Sequence, residues 1–381
     1  MDVQNCMSHH AVLRIVAKST IVIIGIGKGF LSYASFYIYL KILRQEMIQL
    51  HKIKDFSKEL KPYVDSVNTD ILGNVIAHKM GHGKRIMLIA HQDVICLMIS
   101  YIDERGFLYV KPSGGIDVSI LQARKVVIVH ENKEILGVIG KKPIHLLREE
   151  QNNKITFDNI WIDIGAKNKE EALQIISVGD YAYFYSDYES LPNSIITGPY
   201  IDNQAGLNVL CEVSKRFQKV KVNCNLYYVA SNHEEIGLRG AYVAANSIKP
   251  DICICVDVTH ATDYPNMNVI SDGDIKLGGG CVLSKGPNVY PKLFQRLKEI
   301  TLKNNITSQV EVSPYPTGTD ANVVQLSTNG VKTIIISIPC RYMHTPYEMC
   351  SKKDIKSTID IISNFILEEF GEEINIKEES L

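Results

Sequence analysis

One stretch decides the fold, because it joins an apolar strand to a helix through two adjacent carboxylates: Val229-Ala230-Ser231-Asn232-His233-Glu234-Glu235-Ile236-Gly237-Leu238-Arg239-Gly240-Ala241. Residues 225–230 are rich in strand formers, and the small residues 240–245 begin a helix. α/β proteins bind ligands at such crossings. Two neighbouring glutamates repel each other, so both stay ionised only beside a cation. A metal ion would take one glutamate as ligand and leave the other to move protons. A solvated glutamate pair with Arg239 as partner is the alternative.

Length, charge and cysteine content limit the class of protein. The 381 residues suffice for one large domain or two smaller ones. A formal net charge of −1 provides no basic field for nucleic acid. The 9 cysteines include no Cys-x-x-Cys pair, and Cys253 and Cys255 lie in an apolar run, which indicates reduced, buried thiols rather than a zinc ribbon. We therefore expect a cytoplasmic protein.

The first 50 residues form a divergent segment of uncertain structure. Residues 19–40 are mostly apolar between basic flanks, a length that suits a membrane span. Lys28, however, lies within this run among three glycines, and the cluster fits neither a dinucleotide-binding nor a phosphate-binding loop. We favour a buried or peripheral element, with an N-terminal membrane anchor as the alternative.

The remaining chain predicts two domains, one inserted into the other. Segments 51–102 and 194–369 alternate apolar strands with amphipathic helices, which predicts an α/β, doubly wound mixed-sheet catalytic domain. The main predicted strands are 85–90, 225–230, 251–258 and 331–338, and the main predicted helices are 46–64, 204–217, 289–302 and 353–370. Segment 103–193 has short β-like runs between glycine turns, which predicts a small inserted β domain. Residues 370–381 form an acidic tail.

Histidines and acidic residues recur where predicted strands end or the next helix begins. Five of them are of metal-ligand type: His91, Asp202, Glu235, Asp257 and His344. Because strand ends meet at one edge of an open α/β sheet, we expect these side chains to converge. Two imidazoles and three carboxylates suit a pair of zinc-like ions that share one carboxylate. Singly, each residue has a structural explanation, such as a helix-capping aspartate. The His-Glu-x-x-His motif is absent, which excludes a single-zinc helical protease site.

Six segments between about Lys61 and Phe370 carry a family resemblance. They read Ala-His-Gln-Asp (90–93), Ile-Asp-Asn (201–203), His-Glu-Glu-Ile-Gly-Leu-Arg-Gly-Ala (233–241), Asp-Val-Thr-His-Ala-Thr-Asp-Tyr-Pro (257–265), Pro-Thr-Gly-Thr-Asp-Ala (316–321) and Ile-Pro-Cys-Arg-Tyr-Met-His-Thr-Pro (338–346). In this order they resemble the M42 family of metallo-aminopeptidases. That family includes glutamyl and deblocking aminopeptidases, and its members are often labelled endoglucanases.

The resemblance implies a site with two divalent ions, zinc or cobalt. It implies that Asp202 bridges the ions, with His91 and Asp257 on one and Glu235 and His344 on the other. It implies Glu234 as general base and Asp93 as the residue that orients His91. The inserted domain is implied to be PDZ-like, serving in dimerisation and as a lid. The subunits are implied to form dimers that assemble into large, cage-like homo-oligomers.

We therefore predict a metallo-aminopeptidase that removes N-terminal residues from short peptides with a metal-activated water. Glu234 takes the proton of that water and passes it to the leaving amine. A substrate amine held by one metal or a nearby carboxylate would restrict cleavage to chain N-termini. Thr319 and Asp320 are assigned to the wall of the substrate pocket, although a plain turn residue explains Asp320 equally well.

Two departures from the family pattern leave alternatives open. Val94-Ile95-Cys96 follows Asp93 in place of Glu-x-Gly, and Asp202-Asn203-Gln204 replaces Asp-Asp-Arg. Neither change removes a predicted ligand, but both alter the surroundings of the site. A catalytically weak or silent oligomeric scaffold is one alternative. Another hydrolase on the same fold, a deacylase or glycosidase, is a second. A glycosidase is chemically awkward, because its carboxylates must act on a sugar rather than bind metal.

Overall fold

A computed structural model describes residues 55–146 and 154–371, together with the backbone of residues 13–17 and 20–24. The last two segments are strands β1 (Leu13–Ala17) and β2 (Thr20–Ile24), which pair antiparallel in a unit of their own. The rest of the predicted N-terminal segment, including the apolar run after β2, and the tail beyond Gly371 lie outside the described residues. In the part of the chain that is described, no helix has both the length and the apolar character needed to cross a bilayer.

The larger unit contains the remaining strands and helices. Its strands are β3 (Ser66–Thr69), β4 (Val75–Lys79), β5 (Lys84–His91), β6 (Cys96–Ile102), β7 (Leu108–Ser113), β8 (Lys125–His130), β9 (Lys133–Lys141), β10 (Ile160–Asp163), β11 (Tyr181–Phe184), β12 (Glu189–Leu191), β13 (Ile195–Gly198), β14 (Cys224–Ser231), β15 (Ile252–His260), β16 (Cys281–Lys285), β17 (Ser308–Val312), β18 (Lys332–Arg341) and β19 (Glu348–Ser351). Its α-helices are α1 (Phe56–Leu60), α2 (Lys169–Leu173), α3 (Ile201–Phe217), α4 (Arg239–Ile248), α5 (Val269–Asp272), α6 (Pro291–Lys303), α7 (Ala321–Gln325) and α8 (Lys352–Phe370).

An 11-stranded mixed sheet organises the catalytic domain. Its middle is parallel, with β14, β5, β15 and β18 side by side. Antiparallel β4 and β3 extend one side, while β19, β13 and β12 extend the other, and β16 and β17 branch from β18. The parallel strands are almost entirely apolar because helices cover them, α3 packing against α8 and β15, and α4 against α7 and β14. The predicted α/β fold with a mixed sheet is confirmed.

The insertion between β5 and β12 is a closed barrel of six strands, in the order β10-β7-β6-β11-β8-β9. The barrel has an apolar core of its own, separate from the core of the sheet. The sequence predicts the insertion over 103–193, but β6 already belongs to the barrel, and Val94 and Ile95 are buried in its core. The boundary escapes prediction because β6 is as apolar as the strands of the large sheet, so its composition does not show which sheet it pairs with.

Candidate metal centre

The five predicted metal-binding side chains converge at the carboxyl edge of the parallel strands. His91 ends β5, Asp257 lies near the end of β15, Glu235 follows β14, Asp202 lies in the first turn of α3 and His344 lies three residues beyond β18. Ligand atoms lie within 4.8 Å of one another in three groups: His91 with Asp202 and Asp257, His344 with Asp202 and Glu235, and His91 with Glu234 and Glu235. The structure therefore brings together residues that lie as far apart in the sequence as His91 and His344.

Asp202 lies between the two imidazoles. Its Oδ1 is 2.9 Å from Nε2 of His91, and its Oδ2 is 3.3 Å from Nε2 of His344. Asp257 places Oδ1 3.7 Å from Nε2 of His91, and Glu235 places Oε1 3.6 Å from Nε2 of His344. Each imidazole thus faces one oxygen of the shared carboxylate and one carboxylate of its own. We refer to His91 and Asp257 as the inner half of the centre and to His344 and Glu235 as the outer half.

Glu348 fixes the main chain of two of these residues. It is 2% exposed, and its Oε2 accepts the N–H of Asp202 at 2.9 Å while its Oε1 accepts the N–H of His344 at 2.7 Å. Behind Asp202, Nδ2 of Asn203 donates to the main-chain oxygen of Val256 at 2.9 Å, a bond that the more usual aspartate could not donate when ionised. Glu348 is not among the residues predicted from the sequence, because its only signal is its place four residues after His344.

In both imidazoles, Nδ1 lies at hydrogen-bond distance from a main-chain carbonyl oxygen. Nδ1 of His91 lies 2.9 Å from the oxygen of Asp93, and Nδ1 of His344 lies 2.8 Å from the oxygen of Gly115 in the barrel. Because a carbonyl only accepts, Nδ1 carries the hydrogen in each neutral ring, and Nε2 keeps its lone pair toward the carboxylates. This is the tautomer that a metal ligand requires.

Asp93 contacts His91 through a different atom from the one predicted. Its carboxylate is predicted to contact the ring, but Oδ1 lies 3.9 Å from Nδ1 of His91, and the main-chain oxygen makes the contact instead. The carboxylate accepts the N–H of Glu234 at 3.0 Å and that of Glu235 at 3.1 Å. Asp93 therefore fixes both the inner imidazole and the main chain of the glutamate pair.

The loop that carries the two glutamates is anchored by a buried asparagine. Oδ1 of Asn74 accepts the N–H of Asn232 at 2.8 Å, and its Nδ2 donates to the main-chain oxygen of Gly240 at 3.0 Å. A Cβ at Gly240 would lie 2.2 Å from the main-chain oxygen of Asn232, so only glycine fits where the loop enters α4. The predicted strand, polar crossing and helix are thus present, with the glutamates held at the crossing.

The carboxylates of the centre are buried with little positive charge near them. Asp202, Glu234 and Asp257 are at most 9% exposed, and within the described residues none of them forms an ion pair with lysine or arginine. Burial raises the pKa of Glu234 to about 10 and that of Glu235 to about 7. Buried carboxylates without cations are unstable as anions, so they either take up protons or need positive charge beside them.

The imidazoles supply part of that charge. Burial lowers the pKa of His91, but hydrogen bonds to Asp202 and Asp257 raise it well above its ordinary value. A hydrogen bond to Asp202 raises the pKa of His344 to about 9. Protons and divalent cations thus compete for the same nitrogen atoms. The mixed nitrogen and oxygen donors fit zinc, cobalt or manganese, and an ion in each half would neutralise the buried carboxylates.

Thr319 and Asp320, the residues predicted for the substrate pocket, differ in accessibility. Asp320 is 1% exposed, and it accepts the hydroxyl of Ser231, the last residue of β14. Thr319 is half-buried, with its hydroxyl 2.9 Å from that of Thr317. Asp320 therefore lies beneath the sheet edge, whereas Thr319 is the more accessible of the two. A role in substrate binding stays a prediction for both residues.

Comparisons with known proteins relate this arrangement to a family. Residues 73–361 match the family described as M42 glutamyl aminopeptidase. A lysyl aminopeptidase of Pyrococcus furiosus is 41% identical over 313 residues, which cover 81% of this chain and 89% of the relative. An aminopeptidase of Desulfurococcus kamchatkensis has a TM-score of 0.76 at 33% identity, covering 83% and 88% of the two chains. The TET1 peptidase of Pyrococcus horikoshii, described as assembling into a tetrahedron or a large octahedral shell, has a TM-score of 0.71 at 30% identity, covering 86% and 93%.

Proposed function

The chain belongs to the M42 glutamyl aminopeptidase family and is a metal-dependent aminopeptidase, and from this premise we propose that it removes N-terminal residues from short peptides with two divalent cations. One observation carries the proposal. The two oxygens of Asp202 face different imidazoles, at 2.9 Å and 3.3 Å, and each imidazole has a further carboxylate beside it. Two cation positions that share one carboxylate are the simplest use of this arrangement.

In this proposal His91 and Asp257 hold one cation, Glu235 and His344 hold the other, and Asp202 holds both. Zinc or cobalt suits the combination of one imidazole with two carboxylates in each half. When bound, such cations lower the pKa of a water molecule and polarise the carbonyl group of the scissile peptide. The protein's own contribution is to keep both imidazoles in the tautomer with Nε2 free, through the carbonyl groups that accept from Nδ1.

Glu234 is the proposed general base. It lies next to the ligand Glu235, its carboxylate is grouped with Glu235 and His91, and the carboxylate of Asp93 fixes its main chain. Burial raises the pKa of Glu234 in the metal-free chain, and cationic charge nearby lowers the pKa again. With its pKa lowered in this way, the carboxylate takes a proton from water and returns it to the leaving amine.

The outer face of the barrel supports the proposed homo-oligomer. Val129, Leu136, Val138 and Tyr181 are 39–50% exposed on the neighbouring strands β8, β9 and β11. Exposed apolar side chains grouped on neighbouring strands are typical of a contact surface. We propose that two copies pair through it and that such dimers build a cage. Leu136→Lys should reduce the particle size measured by light scattering, whereas Leu173→Lys, which changes an equally exposed leucine on α2, should not.

The thiols support the proposed cytoplasmic location. Among the described residues, seven cysteines are free thiols and buried, although Cys340 and Cys350 lie opposite each other on paired strands: Cys96, Cys224, Cys253, Cys255, Cys281, Cys340 and Cys350. A chain that matures in an oxidising compartment commonly uses such cysteines in disulfides. Free thiols therefore agree with a reducing compartment, and thiol counting on protein isolated without reductant tests this.

Metal analysis combined with peptide hydrolysis tests the proposed reaction. Protein reconstituted with Zn²⁺ or Co²⁺ should hold two ions per subunit and release the amine from aminoacyl-anilides. Lysyl and glutamyl anilides begin the substrate panel, because these residues appear in the relatives' names. Glu234→Gln should retain both ions and lose activity by about 10²–10⁴-fold. If the parent cleaves no N-terminal residue and Glu234→Gln behaves identically, an oligomeric scaffold replaces the proposed enzyme.

A further inference from the structure

We propose that Gly115 of the inserted barrel is a positioning residue for His344, so that the barrel completes the outer half of the metal centre. The proposal rests on the two-cation function proposed above. It concerns the barrel's role in the reaction itself, beyond any role in assembly. The evidence is the contact between a barrel carbonyl and a ring that faces the shared carboxylate.

The loop after β7 reaches the metal centre from the barrel. The main-chain oxygen of Gly115 accepts the Nδ1–H of His344 at 2.8 Å. The preceding Gly114 lies against Glu235, since a Cβ at this position would be 3.3 Å from Oε2 of that glutamate. One barrel loop therefore borders both residues of the outer half. The corresponding bond of His91 is made by Asp93, two residues away in the same chain segment.

The contact with Gly115 supplies a restraint that the catalytic domain does not. His344 lies in a loop and has a φ of 62°, and its main-chain N–H donates to the carboxylate of Glu348. That bond fixes the backbone of His344, and the catalytic-domain carboxylates of Asp202 and Glu235 face only Nε2 of its ring. The carbonyl of Gly115 restrains the ring through Nδ1, and in the neutral ring it keeps the hydrogen on Nδ1, so that the lone pair of Nε2 faces Asp202 and Glu235.

Two further contacts join the barrel to the loop that carries His344. Ser186, which follows β11, donates its hydroxyl to the main-chain oxygen of Pro346 at 2.7 Å. The guanidinium of Arg124 lies 5.3 Å from the ring centre of Tyr347. The barrel thus holds this loop at three points along its length. A displacement of the barrel would therefore move His344 with it.

Sterics make Gly115 a sensitive position. Its φ lies outside the left-handed region, so the backbone itself does not demand glycine. A Cβ at Gly115 would lie 3.1 Å from Nδ1 and 3.5 Å from Cε1 of His344. Alanine should therefore press lightly on the imidazole, and valine, which adds two methyl groups at Cβ, should displace it from the carbonyl.

Zinc retention in the full-length protein tests the proposal. The parent, Gly115→Ala and Gly115→Val are loaded with Zn²⁺ and titrated with a chelator, and the ions that stay bound per subunit are counted. Loss of the hydrogen bond to the non-coordinating nitrogen of a ligand imidazole lowers metal affinity by about 10–100-fold. Gly115→Val should release one of its two ions at a correspondingly lower chelator concentration and retain the other like the parent. Gly115→Ala should shift in the same direction by less, and excess Zn²⁺ should restore activity to both.

Gly165→Ala provides the matched control within the same barrel. Gly165 has a φ of 78° and open space around its Cβ position, so alanine strains the backbone without touching the centre. It should lower the Tm and leave zinc retention unchanged. The proposal is overturned if Gly115→Val keeps both ions as tightly as the parent, or if Gly165→Ala loosens one ion equally. A parent that binds no zinc would instead refute the two-cation function.

Discussion

The two halves of the metal centre are built in different ways. The inner half comes from β5 and β15, which are hydrogen-bonded neighbours in the sheet, and the second nitrogen of His91 bonds to the adjacent Asp93. The outer half comes from loops after β14 and β18, and the second nitrogen of His344 bonds to Gly115 of the barrel. The side chain of His91 is 2% exposed, whereas that of His344 is 32% exposed. A sheet edge alone can thus build one half, but the other half also uses the inserted domain.

The largest expected effect comes from removing what the halves share. Asp202→Ala takes away the carboxylate between both imidazoles, so both ions should be lost together. Aminoacyl-anilide hydrolysis should fall beyond the roughly 10⁴-fold upper range for loss of a general base. Metal content and kcat/KM measure this. Retention of one ion with measurable turnover would show that the halves work independently.

The next contrast compares the imidazoles in the metal-free protein. His91→Ala leaves Asp257 buried without an imidazole partner and leaves Asp202 with His344 alone, and we expect a loss of about 3 kcal/mol in the free energy of unfolding. His344→Ala acts at a more exposed position and should lose about 1 kcal/mol or less. Chemical denaturation in the presence of chelator measures both variants. Equal losses would contradict the difference in construction.

A smaller effect concerns the support of the outer half at the end of β18. Arg341 donates Nε to Oδ1 of Asp263 at 2.8 Å, with a second contact of 2.7 Å to Oδ2. Burial raises the pKa of Asp263, but the bonds from Arg341 lower it below its usual 3.8. The ionised pair therefore stabilises the fold above about pH 4, and this stabilisation is lost as the pH falls through the lowered pKa.

Arg341→Gln should accordingly lower the free energy of unfolding by about 1–2 kcal/mol at pH 7, with the difference shrinking below pH 4. Arg105→Gln is the matched control, because Arg105 pairs with Asp103 while 72% exposed and its loss should change the free energy of unfolding much less. Denaturation at a series of pH values separates the two variants. A pH-independent loss for Arg341→Gln would point to packing rather than charge.

The smallest contrast lies behind the inner half, at Asp320. Burial raises the pKa of Asp320 from 3.8 to about 7, although Ser231 donates a hydrogen bond to it. Ionised Asp320 thus destabilises the fold increasingly as the pH rises through this interval. In metal-free protein, Asp320→Asn should gain stability relative to the parent between pH 5 and pH 8. The gain should be about 1 kcal/mol, because the lost charged hydrogen bond offsets part of it. If the metal-loaded variant has a raised KM and the metal-free variant lacks this pH trend, the predicted role in the substrate pocket is favoured.

The sequence predicts the inner half more completely than the outer half. Apolar runs mark β5 and β15, so their ends at His91 and Asp257 can be located, and the strand ends of a parallel sheet must meet. Glu235 and His344 are recognisable as ligand types, but what positions them is not. Gly115 contributes a main-chain oxygen, which every residue type has, so the residue type at this position does not predict the contact. Glu348 lies in β19, a short strand without a clear apolar pattern.

Two other differences have the same physical origin. Asp93 is predictable as a partner of His91, but only the folded turn decides that its main-chain oxygen makes the contact. The start of the barrel is not predicted because Val94 and Ile95 are as apolar as the residues of β5 but pack into a different core. Periodicity reports whether a residue is buried, and it does not report which core receives the side chain.

The barrel's hold on the loop of His344 limits how this enzyme can be recombined. An engineer who grafts a foreign barrel between β5 and β12, to alter how the particle assembles, also grafts a foreign turn in place of residues 113–116. That turn would have to deliver a carbonyl oxygen to the same ring nitrogen. The barrel turn at residues 113–116 and the loop at residues 342–347 therefore have to be exchanged together. Chimeras that exchange both segments should keep both proposed metal positions, whereas chimeras that exchange the barrel alone should keep one.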